Sequence, residues 1–155
     1  MSKTTRATQV LAKAGVSFTV HSYEYDPNTE RVGLQAAEAL GEEPHRVLKT
    51  LMAEVDPVCV VVPSDREVSM KKLASAFGGK SANMMKPAEA ERLTGYHVGG
   101  ISPFGQKKLV PTALEEATLT EPLVYMNGGQ RGLQVRLAPK EALTTLNAKA
   151  ASLIA

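Results

Sequence analysis

The chain has 155 residues, 43% of them hydrophobic and 22% charged, with a formal net charge of +2. That fits one globular domain with room for a packed core and excludes a broad basic coat for wrapping nucleic acid, so any grip on phosphate is local. Its single cysteine, Cys59, excludes an internal disulfide, and no apolar run approaches the roughly 20 residues that span a bilayer. The opening MSKTTRATQVLAKAG also lacks the apolar core of a secretion signal. The expectation is a single soluble domain over residues 1–155, in the cytoplasm and with no membrane partner.

In chain order, Thr4 or Thr5 caps a first helix with Ala7, Val10, Leu11 and Ala14 on one face and Gly15 as its stop. Val16, Phe18 and Val20 then alternate as in a half-buried strand. Asp26-Pro27-Asn28 opens a loop over 25–33, and LQAAEALG, 34–41, is a short helix closed by Gly41. Residues 48–55 and 58–62 form adjacent strands, the second apolar on both faces. Two glycine-stopped helices follow, in SMKKLASAFGG and in KPAEAERLTG, where Pro87 sits in the tolerated first turn. Strands at 123–127 and 133–137 flank a glycine turn, and APKEALTTLNA closes the chain as a helix. Close strand pairs imply hairpins. The fold class is therefore α+β, with a mixed sheet curled toward a barrel and packed by helices.

Several chemistries are excluded. Ser102 lies in GGISPF, which is not the Gly-x-Ser-x-Gly of a nucleophile elbow, and the next residue, Pro103, has no N–H for an oxyanion hole. Cys59 sits in the apolar run VCVVVP, where a thiol is packing and not a nucleophile. His21, His45 and His97 are scattered without metal-ligand spacing, and no phosphate-binding P-loop is present, so no metal or cofactor is expected.

What remains are two glycine loops with one rhythm, YHVGGISPFGQKK at 96–108 and YMNGGQRG at 125–132. Glycine lets backbone N–H groups converge on an oxyanion without a Cβ in the way. Lys107, Lys108 and Arg131 follow these turns, either as phosphate contacts or as solvated surface. Lys49 shares a strand face with Val47, Leu51 and Ala53, opposite Leu48, Thr50 and Met52. It either snorkels to the rim or points at an anion. Tyr96 and Tyr125 are equally open between base stacking and core.

RVLKTL, MKKLASAFG, TGYHVGGISPFGQKK and YMNGGQRGL, in that order, resemble the YbaK family of aminoacyl-tRNA deacylases, in particular the bacterial Cys-tRNA(Pro) deacylases. The resemblance runs from about Val10 to the final helix. It implies a barrel-like sheet flanked by helices, shared with the editing domain of bacterial prolyl-tRNA synthetases. It also implies hydrolysis of cysteine mischarged on tRNA(Pro), with the acceptor end of that tRNA as partner and the synthetase in a transient complex. An editing step has a physical reason: an apolar pocket rejects a near-isostere by only roughly 10- to 200-fold. The implied site has Lys49 and Thr50 in the pocket, Gly99, Gly100, Ile101, Ser102 and Pro103 as the loop holding the aminoacyl end, and Tyr23 on a wall. Val32 stands where the family commonly has Phe, and Asn127, before Gly128, where it has Ser. The resemblance further implies that the substrate's own thiol attacks the ester; the expectation that follows is that backbone N–H groups near Gly99–Ile101 polarise the carbonyl while Lys49 engages the adenosine phosphate or sugar. The alternatives are water-dependent removal of alanine or another small amino acid, and non-catalytic binding of RNA ends or nucleotides.

Overall fold

The structure is a computed structural model and describes residues 4–28 and 31–155. Helix α1, Arg6–Lys13, starts where Thr5 accepts from the Thr8 backbone and Thr8 reciprocates, a capping box that satisfies two otherwise orphaned donors. Strand β1, Phe18–Ser22, follows. Helix α2 spans Val32–Leu40 and ends on Gly41 at φ +67°. It begins two residues before the expected Leu34, so Val32 and Gly33 leave the expected loop; residues 29–30 of that loop lie outside the described ones.

Strands β2, Leu48–Glu54, and β3, Pro57–Pro63, pair antiparallel across a turn at Val55–Asp56. Helix α3, Met70–Ala76, is capped by Ser69. A two-residue strand β4, Asn83–Met84, precedes helix α4, Pro87–Thr94, which stops at left-handed Gly95. Strand β5 covers Thr112–Glu115, and β6, Val124–Asn127, pairs antiparallel with β7, Leu133–Leu137. Helix α5, Pro139–Leu146, does not close the chain; strand β8, Lys149–Ala151, follows it.

The strands make two sheets in the orders β1-β7-β6 and β4-β2-β3-β5-β8, the second mixed because β3–β5 and β5–β8 run parallel. The α+β class holds, but the expected curl does not close into a barrel. Among the described residues, one isolated bridge, Val47–Tyr125, links the two sheets, and β2 and β6 form no ladder beyond it.

Alternation along the strands sorts side chains into layers. Leu48, Met52, Cys59 and Val61 face Val124, Met126, Val135 and Leu137, with Leu11 of α1 and Phe104, in the main core. Each fully buried leucine there contributes roughly 1.5–3 kcal/mol. Ala53, Val58, Val60 and Val62 face the opposite way, onto Leu73 and Leu153. The outer face of the three-stranded sheet carries Tyr23 and Tyr125 beneath Ala36 and Ala37 of α2. One buried carboxylate anchors the chain end. Glu115 accepts from the backbone N–H groups of Ala117 (2.9 Å), Leu153 (2.7 Å) and Ile154 (3.2 Å).

Candidate active site

Where β2 leaves β6, a cleft of about 450 Å³ opens. One wall is the edge of β2 from Leu48 to Met52; the end of α2, Arg31–Leu34, forms another. Val98, Gly99 and Ile101 come from the first glycine loop, and Asn127 and Gln134 from the ends of β6 and β7. Met84, Met85, Pro87 and Ala90 complete an apolar side. Among the described lining residues, Arg31, Lys49 and Glu67 carry the charge. Lys49 pairs in register with Val62, and its side chain, 22% exposed, reaches the rim with Nζ 4.0 Å from the Glu67 carboxylate. Lys49 therefore snorkels to a rim that borders the cleft.

The two glycine loops touch. Asn127 donates from Nδ2 to the Gly99 carbonyl (3.2 Å) and accepts at Oδ1 from the Gly129 N–H (2.7 Å), so both ends of its amide are committed to bracing one loop against the other. Arg131 adds a third tie, Nε to the Val98 carbonyl at 2.9 Å, with its guanidinium over the Tyr25 ring. Contact is close enough to require glycine. A Cβ on Gly100 would lie 2.8 Å from the Arg131 backbone nitrogen, and one on Gly99, at φ +91°, would lie 2.5 Å from the Tyr25 hydroxyl. The Gly100 N–H donates to the His97 carbonyl (2.8 Å) and closes the turn. Among the described residues, no protein group accepts from the N–H of Gly99 or of Ile101.

Of the residues expected in the site, Lys49, Thr50, Val32, Gly99, Ile101 and Asn127 line this cleft. Gly100 instead faces a second hollow of about 220 Å³ behind the loop, lined also by His97 and Arg131. Ser102 is fully buried, its Oγ accepting from the Phe104 N–H, and Pro103 and Gly128 are buried beside their loops. Tyr23 packs behind the cleft with its buried hydroxyl against the Gln134 side chain, and burial raises its pKa. Tyr96 donates to the Phe104 carbonyl, and it and Tyr125 are core residues, which withdraws both from base stacking. Lys107 and Lys108 are exposed.

Among the described residues, no activated nucleophile lines the cleft. Ser64 borders it, but its hydroxyl donates to the Pro44 carbonyl (2.9 Å), and neither histidine nor cysteine is among the lining residues. Cys59 is fully buried, and burial pushes its thiol up to about 12. The described residues contain no group of three or more His, Cys, Asp or Glu that could hold a metal, and no helix long and apolar enough to cross a membrane.

Residues 26–145 match the family model of the aminoacyl-tRNA editing domain. The chain belongs to this family. Among curated members of the aminoacyl-tRNA editing family it is 36% identical to EbsC of Enterococcus faecalis, named as a Cys-tRNA(Pro)/Cys-tRNA(Cys) deacylase, over 84% of this chain and 82% of that one. It is 30% identical to the multifunctional Ser/Thr-tRNA deacylase ProXp-y of Escherichia coli over 64% of this chain and 60% of the relative. A solved structure described as a trans-editing enzyme for prolyl-tRNA synthetase superposes with a TM-score of 0.81 at 27% identity, covering 97% of this chain and 95% of that one.

The editing-domain cleft includes residues that sequence reasoning missed. Gln134 stands between Leu133 and Val135, so strand alternation alone turns it away from the main core, a signal present in LQVRL. Tyr25, not Tyr23, is the tyrosine that packs on the glycine loop. Glu67, Met84 and Met85 join through tertiary folding and leave no local pattern.

Proposed function

We propose that this chain is a trans-editing aminoacyl-tRNA deacylase that removes cysteine from tRNA(Pro), gripping the acceptor end. The observation that carries this reading is a cleft of about 450 Å³, bounded by the braced glycine loops and a rim lysine, with no activated nucleophile among the described lining residues. Such a site suits a substrate that brings its own. In this mechanism the cysteine sulfur attacks the ester carbonyl carbon, and the ester C–O bond to the terminal ribose breaks. The departing ribose oxygen takes the thiol proton, and the aminoacyl group leaves as a four-membered thiolactone that water opens in solution. Positioning supplies much of the rate, because a held nucleophile replaces a bimolecular encounter. The N–H groups of Gly99 and Ile101 are the candidate oxyanion donors, each worth roughly 10²–10³ in rate. Lys49 at the rim takes the terminal phosphate or sugar. With a net charge of +2, affinity for the tRNA is weak and salt-sensitive, and recruitment through prolyl-tRNA synthetase supplies the identity of the tRNA.

A deacylation assay with purified Cys-tRNA(Pro), Ser-tRNA(Pro), Ala-tRNA(Pro) and Pro-tRNA(Pro) tests this directly. The cysteinyl ester is hydrolysed and the alanyl and prolyl esters are not. Equal turnover of the alanyl ester would sink the thiol mechanism. A second reading, water-driven removal of serine or threonine, draws on the unpaired Thr50 hydroxyl and on the Escherichia coli relative's name.

A further inference from the structure

Arg131, in the turn between β6 and β7, is held in place without being neutralised. Its Nε donates to the Val98 carbonyl (2.9 Å), and its guanidinium carbon lies 5.5 Å from the centre of the Tyr25 ring. Tyr25 in turn sits against Gly99, so the loop, the tyrosine and the arginine are joined. Arg46 and Arg92 are paired with Glu42, Glu121 and Glu89, whereas no carboxylate among the described residues pairs with Arg131. Glu91, the acidic side chain that reaches the loop, accepts from the Val98 N–H (2.9 Å) and faces His97 Nδ1 (3.6 Å) instead. The two terminal nitrogens of the exposed Arg131 therefore have no partner among the described residues. Val98 lines the cleft, and Arg131 lines the second hollow with His97 and Gln130, where no carboxylate is among the described lining residues.

We infer that Arg131 binds one of the two internucleotide phosphates nearest the ester of the RNA acceptor end, an inference that rests on the deacylase reading above. A guanidinium presents paired N–H donors in a fixed plane that matches two phosphate oxygens, and anchoring it beforehand cuts the cost of ordering it. Val98 is 41% exposed at the cleft, and a strand leaving over it meets the guanidinium next. Lys49 approaches from β2, on a different wall. The Arg131 contact reads backbone charge and neither base nor cargo, so it strengthens binding of every ester alike and leaves the choice of amino acid to the cleft.

The test uses cysteinyl esters of a short acceptor-stem RNA in which one linkage at a time, the last or the one before it, is a neutral methylphosphonate. Each substitution removes one negative charge and leaves the chain length and the ester intact. At one of these linkages it raises KM of the natural chain by about 10- to 100-fold with little change in kcat, as expected for a charged contact made equally in ground and transition states. Arg131→Gln raises KM for the unmodified RNA by a similar factor, lowers the slope of log(kcat/KM) against log salt by roughly 0.7, and shows no further loss at that linkage. Arg131→Lys, which keeps the charge, keeps a penalty there. Thermal unfolding checks that each variant is folded, and the natural chain alone can refute the contact if Arg131→Gln is not: equal KM for all three RNAs overturns it. A penalty that persists in full in folded Arg131→Gln also overturns it, because another group then holds the phosphate. Both of these results leave the deacylase reading standing, whereas failure of the natural chain to hydrolyse the unmodified ester overturns both.

Discussion

Replacing Asn127 with alanine removes the brace between the glycine loops and is the sharpest probe of how the cleft is held. Two hydrogen bonds are lost, to the Gly99 carbonyl and from the Gly129 N–H. Each is worth about 1 kcal/mol net, giving a loss of about 2 kcal/mol. For a domain of this size that lowers the melting temperature by about 4–8 °C. The effect on activity is larger than the effect on stability. Freeing Gly99 shifts both candidate oxyanion donors, and a misplacement near 1 Å costs on the order of 100-fold in rate. Asn127→Asp separates the two bonds: it keeps the acceptor for Gly129, loses the donor to Gly99, and sets a carboxylate against a carbonyl. The desolvated carboxylate facing that carbonyl offsets the bond it keeps, so this variant melts no higher than the alanine variant and is as inactive. Thermal unfolding and cysteinyl-RNA deacylation read both quantities. An alanine variant that melts within a degree of the natural chain at full kcat/KM refutes the brace.

Lys49→Ala abolishes deacylation, by about 100-fold or more, with little change in melting, because its pairing with the exposed Glu67 at 4.0 Å contributes little; full activity in that variant removes Lys49 from the mechanism. Glu115→Ala strands three backbone donors and destabilises the chain by roughly 2–4 kcal/mol in urea titration, far more than a surface glutamate would. Cys59 resists alkylation in the folded protein at pH 8 and reacts only under denaturing conditions. Because burial pushes the Cys59 thiol up to about 12, against about 8.5 when unfolded, the unfolded chain holds fewer protons between those values, and stability falls as pH rises through that window. Burial also raises Tyr23 and Tyr96, which adds to the same slope at higher pH. Urea midpoints at pH 8 and pH 10.5 measure it, and a flat profile contradicts the assignment.

The hairpins β2–β3 and β6–β7 were legible because each strand carries its own two-residue period and each turn its own breaker. Helices α1 and α4 announced themselves through Thr5 and through Pro87 with Gly95. Strand β8 did not: Lys149-Ala150-Ala151 has no apolar alternation and becomes a strand only because β5 lies alongside. The parallel pairs β3–β5 and β5–β8 depend on distant chain segments, which no local pattern encodes. The glycine loops were visible as a repeated rhythm, but their contact was not. It depends on Asn127, a residue that reads locally as an ordinary turn former.

The parting of β2 from β6 has a consequence beyond the cleft itself. Among the described residues, β2 has no strand beside Leu48–Leu51 on the side away from β3, since Val47 meets Tyr125 and β4 pairs only with Ala53 and Glu54. An unzipped ladder of this kind normally invites a foreign strand. Here that edge forms one wall of the cleft, with the start of α2 and the first glycine loop as others. A slim extended peptide that slips in and completes the ladder would compete with RNA for the same ground.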